Sequence, residues 1–168
     1  MGLGNDSLSN RIRLVVTVSV LYSLQRRSKA HGIIHEAFQR GDVNPNQLTE
    51  LFIHLSLFLG YPSMLDGLES IGEASSRRRM PSSLKARSSS AHLAGKKILE
   101  QIYGKQTQKL LTRLDSLAPG LGHRITQDAY GLVMSRRGLS IRDRELVNVA
   151  VLFAHRYDRQ LYSHLRER

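Results

Sequence analysis

Cysteine is absent from the 168 residues, and that single gap removes disulfide frameworks, thiolate nucleophiles and thiol–disulfide exchange from the chemistry open to the chain. Proline occurs only four times, which leaves long stretches free to be helical. No apolar run is long enough to cross a bilayer. The longest, residues 14–24, is interrupted by Thr17, Ser19 and Ser23 and falls short of the roughly 20 residues a span requires. Arg11 and Arg13 precede it as in a secretory leader, but no small-residue cleavage site follows. The same pattern also returns near residue 150, which marks a fold element and not an address. Asp6 stands where N-myristoylation needs Ser or Thr. A cytoplasmic protein without a membrane span is therefore expected. Acidic residues are also scarce, 14 against 25 Lys plus Arg for a formal charge of +11. That imbalance favours an anionic partner: nucleic acid, anionic lipid or a carboxylate substrate.

What is present is helical patterning. Leu14, Val15, Val18, Leu21 and Tyr22 recur at helical spacing, which outweighs the strand preference of valine and predicts a helix over 11–28. A second, over 29–40, ends at Gly41-Asp42. Asn44-Pro45-Asn46-Gln47 combines an N-cap, a proline at the first helical position and a Gln three residues after the cap. The helix it opens is predicted to stop at Gly60-Tyr61-Pro62, where Pro62 starts a short helix to about residue 71. Residues 74–92 turn to Ser, Arg and Lys with no acidic side chain and bury too little apolar surface to offset their ordering entropy, so a mobile linker is expected. Further helices are predicted over 93–103, 106–117, 123–135, 141–156 and 158–167, with a capping-box-like Ser140 and Asp143. The organisation expected is a helical repeat in 1–73, a basic linker in 74–92 and a second helical half in 93–168.

Sliding the sequence by 131 residues aligns Arg11 with Arg142, Arg13 with Arg144, Val16 with Val147, Val18 with Val149, Val20 with Val151, Leu21 with Leu152 and Glu36 with Glu167 without a gap. Unbroken register together with matching helix boundaries points to a duplicated helix pair. The second copy is read as truncated, since nothing follows it that corresponds to residues 44–62. Partner helices for it are expected from residues 45–71 or from another subunit.

Several segments share one resemblance. Ser135-Arg136-Arg137-Gly138-Leu139, Arg142-Asp143-Arg144-Glu145-Leu146-Val147 and Gln160-Leu161-Tyr162-Ser163-His164-Leu165-Arg166, with Glu50-Leu51-Phe52-Ile53-His54, Phe58, Gly60-Tyr61-Pro62 and Asp128-Ala129-Tyr130-Gly131, resemble the carboxymuconolactone decarboxylase family. The resemblance implies an all-α fold, the alkylhydroperoxidase D-like helical bundle. It also implies decarboxylation of a small lactone carboxylic acid with no cofactor and no metal, in a homo-oligomer. The hydroperoxidase branch carries a Glu, two Cys and a His at spacings that here fall on Glu145, Tyr157, Gln160 and His164. The outer acid and base remain and the thiols do not. In the first copy those positions hold Leu14, Arg26, Lys29 and Ile33, so that copy is assigned a structural role.

On this resemblance Glu145 and His164 are the candidate proton-transfer pair, because imidazole serves as acid or base near neutrality. Tyr157 is a candidate donor to developing negative charge. Arg136, Arg142 and Arg144 are candidate partners of substrate carboxylates, and His54 and Tyr61 are candidate pocket residues. The plainer readings are a dipole-favoured Glu in a first helical turn, a surface His, and a Glu50–His54 helix-surface pair. His31 and His35, four apart, lack an identifiable third metal ligand. Arg77, Arg78, Arg79, Lys85 and Arg87 offer phosphate contacts without interleaved aromatics, so a solvated connector is expected in preference to a nucleic-acid site. The alternative to an enzyme is a family member that kept the helices, lost the chemistry and acts as an oligomeric binding or assembly protein.

Overall fold

The computed structural model describes residues 8–75 and 90–166; most of the basic segment, with the five Lys and Arg named above, lies outside the described residues. The described chain is all-helical: α1 (Asn10–Ser23), α2 (Arg27–Arg40), α3 (Pro45–Ala74), α4 (Ala91–Tyr103), α5 (Thr107–Leu117), α6 (Leu121–Ile125), α7 (Ile141–Ala154) and α8 (Asp158–Arg166). A 3-10 turn, Gly104–Gln106, joins α4 to α5, and α6 runs on as a π-helical stretch, Thr126–Met134.

Local chemistry sets these boundaries. The Asn44 side chain accepts from the Asn46 amide and Pro45 opens α3. Ser140 and Asp143 form a reciprocal capping box at the start of α7. Gly60 interrupts α3 with φ 74° and ψ 174°, a conformation closed to side chains with a Cβ, and Pro62, which lacks an amide donor, begins the second arm.

The first arm of α3 is the centre of the molecule. Every residue from 48 to 55 is buried, which a helix achieves only when covered on all sides. Leu48, Leu51, Phe52 and Leu55 join Val15, Val18 and Tyr22 of α1, Ala30 and Ile34 of α2, and Val147 and Val151 of α7 in one core. Tyr22 meets Phe52 edge to face at 4.7 Å. Length and mean hydropathy alone would let α3 cross a membrane, and 39% of its apolar window is buried inside the molecule. On the other side, α4 packs against the π-helical stretch at Gly95 and Gly131, where a Cβ would strike the backbone carbonyls of Thr126 and Ala91.

The pairs α1–α2 and α7–α8 begin and end in step: Asn10 and Ile141, Ser23 and Ala154, and Arg27 and Asp158 are each 131 residues apart. Ser9 and Ser140 both cap through their side chains. Gln25 and Arg156, also equivalent, both have φ 58°. The amides that close the two turns run Arg26 to Leu21 at 2.8 Å and Tyr157 to Leu152 at 3.0 Å.

Candidate functional site

Where α3 crosses α7, polar side chains replace the core. Glu50 is buried and its two carboxylate oxygens accept from Arg136, Nη2 to Oε1 at 2.7 Å and Nε to Oε2 at 2.9 Å. Arg144, 0% exposed, donates from Nη2 to Glu50 Oε2 at 3.2 Å and to the Arg136 carbonyl at 3.1 Å. Burial pulls the Arg144 guanidinium below its ordinary range, and the Glu50 charge opposes that shift. Gly138, with φ 105°, lets the loop lie against this carboxylate, since a Cβ there would sit 2.7 Å from Glu50 Cγ. Two guanidinium groups around one carboxylate leave net positive charge, and Arg144 Nε and Nη1 have no hydrogen-bond partner among the described residues.

One helical turn along α3 and α7 a second polar chain begins. His54, fully buried, contacts Asn148 Oδ1 through Nε2 at 2.7 Å. Asn148 donates from Nδ2 to Glu145 Oε1 at 2.9 Å, and Glu145 Oε2 meets His164 Nδ1 at 2.7 Å. Four side chains from α3, α7 and α8 thus form a continuous run. Burial, then the charge of Arg144, pushes His54 from the usual 6.5 down to about 3. The charge of His164 acts in the same direction, so Arg144, His54 and His164 lie within electrostatic reach of one another. Glu145 and His164 are mostly but not wholly enclosed, each side chain 13% exposed. The Tyr103 ring stands 6.3 Å from that of His164, and Tyr130 donates to the Tyr103 hydroxyl at 3.0 Å.

The residues singled out in the sequence are sorted by this geometry. Glu145 and His164 come together from different helices, and Arg136, Arg144 and His54 converge on the same crossing. Glu50 and His54 are not a surface pair: both are buried and each has its own partner on the far side of α3. Tyr157 lies in the α7–α8 turn, half exposed and stacked on His155 at 5.6 Å. Tyr61 is 71% exposed at the α3 break. Arg142 lines a shallow cleft of about 310 Å³ with Ser9, Arg11, Asp143 and Leu146, and neither Glu145 nor His164 reaches that cleft. Glu50, Asn148, Tyr103 and Tyr130 are the participants that sequence reasoning passed over as site residues. For Asn148 a signal exists: it stands three residues after Glu145 and four after Arg144 on one helical face. Among the described residues no group of three His, Asp or Glu is placed to hold a metal ion.

Comparison of the chain with protein-family models, with characterised proteins and with solved structures finds no match.

Proposed function

We propose that this chain is a carboxymuconolactone-decarboxylase-like protein that removes CO2 from a small lactone carboxylic acid by acid–base chemistry of Glu145 and His164. The observation that carries the reading is the 2.7 Å contact between Glu145 Oε2 and His164 Nδ1, side chains 19 positions apart that meet in a largely enclosed site. A carboxylate that holds one imidazole nitrogen leaves the other to exchange a proton with a substrate. In the reaction the bond between carboxylate and ring carbon breaks and CO2 departs. The electron pair enters the conjugated lactone as an enolate, and Nε2–H of the His164 imidazolium protonates the carbon α to the lactone carbonyl, which leaves the neutral Nδ1–H imidazole to recover a proton from solvent. The unshared positive charge at Glu50, Arg136 and Arg144 favours an anionic substrate and developing enolate charge. Of the three arginines, Arg144 has donors without a hydrogen-bond partner among the described residues, Arg136 serves to hold Glu50, and Arg142 lines a separate cleft.

The same reading takes the fold as alkylhydroperoxidase D-like with a duplicated helix pair. Supporting it are the equal spacing of helix ends, the paired serine caps and the shared positive φ at Gln25 and Arg156. At equivalent positions Tyr22 is buried while Phe153 is 70% exposed, and on α8 the large side chains Tyr162 and Leu165 are exposed as well. We assign these side chains to contact between copies in a cytoplasmic homo-oligomer. The test is CO2 release from a panel of small lactone di- and tricarboxylates. The parent protein is expected to turn over at least one. Absence of turnover on every acid, with the fold intact, would favour the binding or assembly role instead.

A further inference from the structure

His54 and Asn148 sit behind the proton-transfer pair and touch no substrate in the reaction above. We infer that they are positioning residues: a one-directional hydrogen-bond chain from His54 through Asn148 that fixes the Glu145 carboxylate and so holds neutral His164 as its Nδ1–H tautomer, with Nε2 bare toward the site.

The direction follows from what each atom can do. An ionised carboxylate only accepts, so the Asn148 amide must turn Nδ2 toward Glu145 Oε1, as its 2.9 Å contact requires. Oδ1 then faces His54 and also only accepts, so His54 Nε2 carries the proton across the 2.7 Å contact. A neutral imidazole carries one ring proton, which leaves His54 Nδ1 bare. Nδ1 is the His54 nitrogen without a hydrogen-bond partner among the described residues, although the Arg144 backbone also acts on the ring in favour of its protonated form, more weakly than burial opposes it. Complete burial beside Arg144 keeps His54 neutral, so this polarity does not reverse on protonation near neutral pH. At the other end Glu145 Oε2 accepts, so His164 must donate from Nδ1. The two carboxylate oxygens are thereby held separately, one by the Asn148 amide of α7, itself bound to His54 of α3, and one by the His164 imidazole of α8. Removing the Asn148 side leaves the carboxylate free to rotate and His164 free to take the Nε2–H form that unconstrained histidine prefers.

The catalytic meaning of this chain rests on the reading of His164 as the acid–base group, but its existence does not, and the test needs no turnover. Full-length protein labelled with 15N-histidine would be recorded by long-range 15N–1H correlation at a pH where His164 is neutral, with His164→Ala to assign its signals. The parent is expected to show Nδ1 protonated and Nε2 bare. Asn148→Leu and His54→Leu are expected to move the His164 tautomer ratio toward Nε2–H by about tenfold, the worth of one charge-assisted hydrogen bond. His54→Gln, whose amide N–H can donate to Asn148, is expected to retain the parental tautomer. Should the leucine variants not fold, Asn148→Ala removes the donor without adding bulk or charge and is expected to give the same shift. An unchanged tautomer in whichever of these variants folds, or His54→Gln behaving as His54→Leu does, would overturn the inference. A parental Nδ1–H tautomer that responds as predicted, in a protein without decarboxylase activity, would instead count against the proposed function alone.

Discussion

Glu50 shows how much can depend on one buried charge. Its carboxylate pairs with both Arg136 and Arg144 at the α3–α7 crossing, and a guanidinium that loses its paired carboxylate in a buried site is costly. Glu50→Gln, nearly the same size, is therefore expected to lower unfolding free energy by about 3–5 kcal/mol, measured by urea denaturation; a loss within error of zero would mean that water reaches the arginines. His54 adds a pH dependence of definite sign. With a folded value of about 3 against 6.5, the unfolded chain takes up this proton first as the solution is acidified. The stability it contributes is complete above about pH 6.5 and is lost progressively between 6.5 and 3, by up to about 1.4 kcal/mol per pH unit. His54→Gln, which does not titrate, should lose about 2–3 kcal/mol less than the parent between pH 7 and pH 4.5. Equal losses in the two proteins would show that His54 is not held neutral.

At the level of helices, the close approach of α4 to the π-helical stretch depends on side chains that are missing. A methyl at Gly131 would overlap the Ala91 carbonyl oxygen, and because that obstacle is backbone, the two elements must separate. Gly131→Ala is expected to cost about 1–3 kcal/mol despite its better helix propensity; a stabilised variant in thermal unfolding would show that the contact yields easily. Element boundaries were legible in the sequence wherever a cap or breaker stated them. Ser140 with Asp143, Asn44 with Pro45, and Gly60 with Pro62 all stand where the sequence places them. The predicted ends of the first helix were less accurate, 11–28 against Asn10–Ser23, because residues 24–26 form a turn on a non-glycine positive φ at Gln25 that carries no compositional mark. The π-helical hydrogen bonding of Thr126–Met134 was illegible for a related reason. It is fixed by packing on Gly95, a contact between segments far apart in sequence.

For the whole molecule, the site is a product of long-range closure. Glu50 finds Arg136 across 86 positions and Arg144 across 94, and His54 finds Asn148 across 94. No local window contains such pairs, which explains why the sequence left a Glu50–His54 surface pair open beside the pocket reading of His54 and did not single out Asn148. The Glu145–His164 pairing was legible only because family spacing set the two residues side by side. If Phe153, Tyr162 and Leu165 join copies, Phe153→Asp should lower the mass seen in sedimentation while leaving helical circular dichroism unchanged; a monomeric parent would remove that assignment. The most direct test of the proposed chemistry is decarboxylation of a lactone acid in D2O followed by mass spectrometry of the product. The parent should place one deuterium on the ring carbon α to the lactone carbonyl, where the shifted electron pair is protonated, and His164→Ala should slow product formation about a hundredfold or more, as expected on losing a general acid. Release of CO2 at the parental rate by His164→Ala would contradict it.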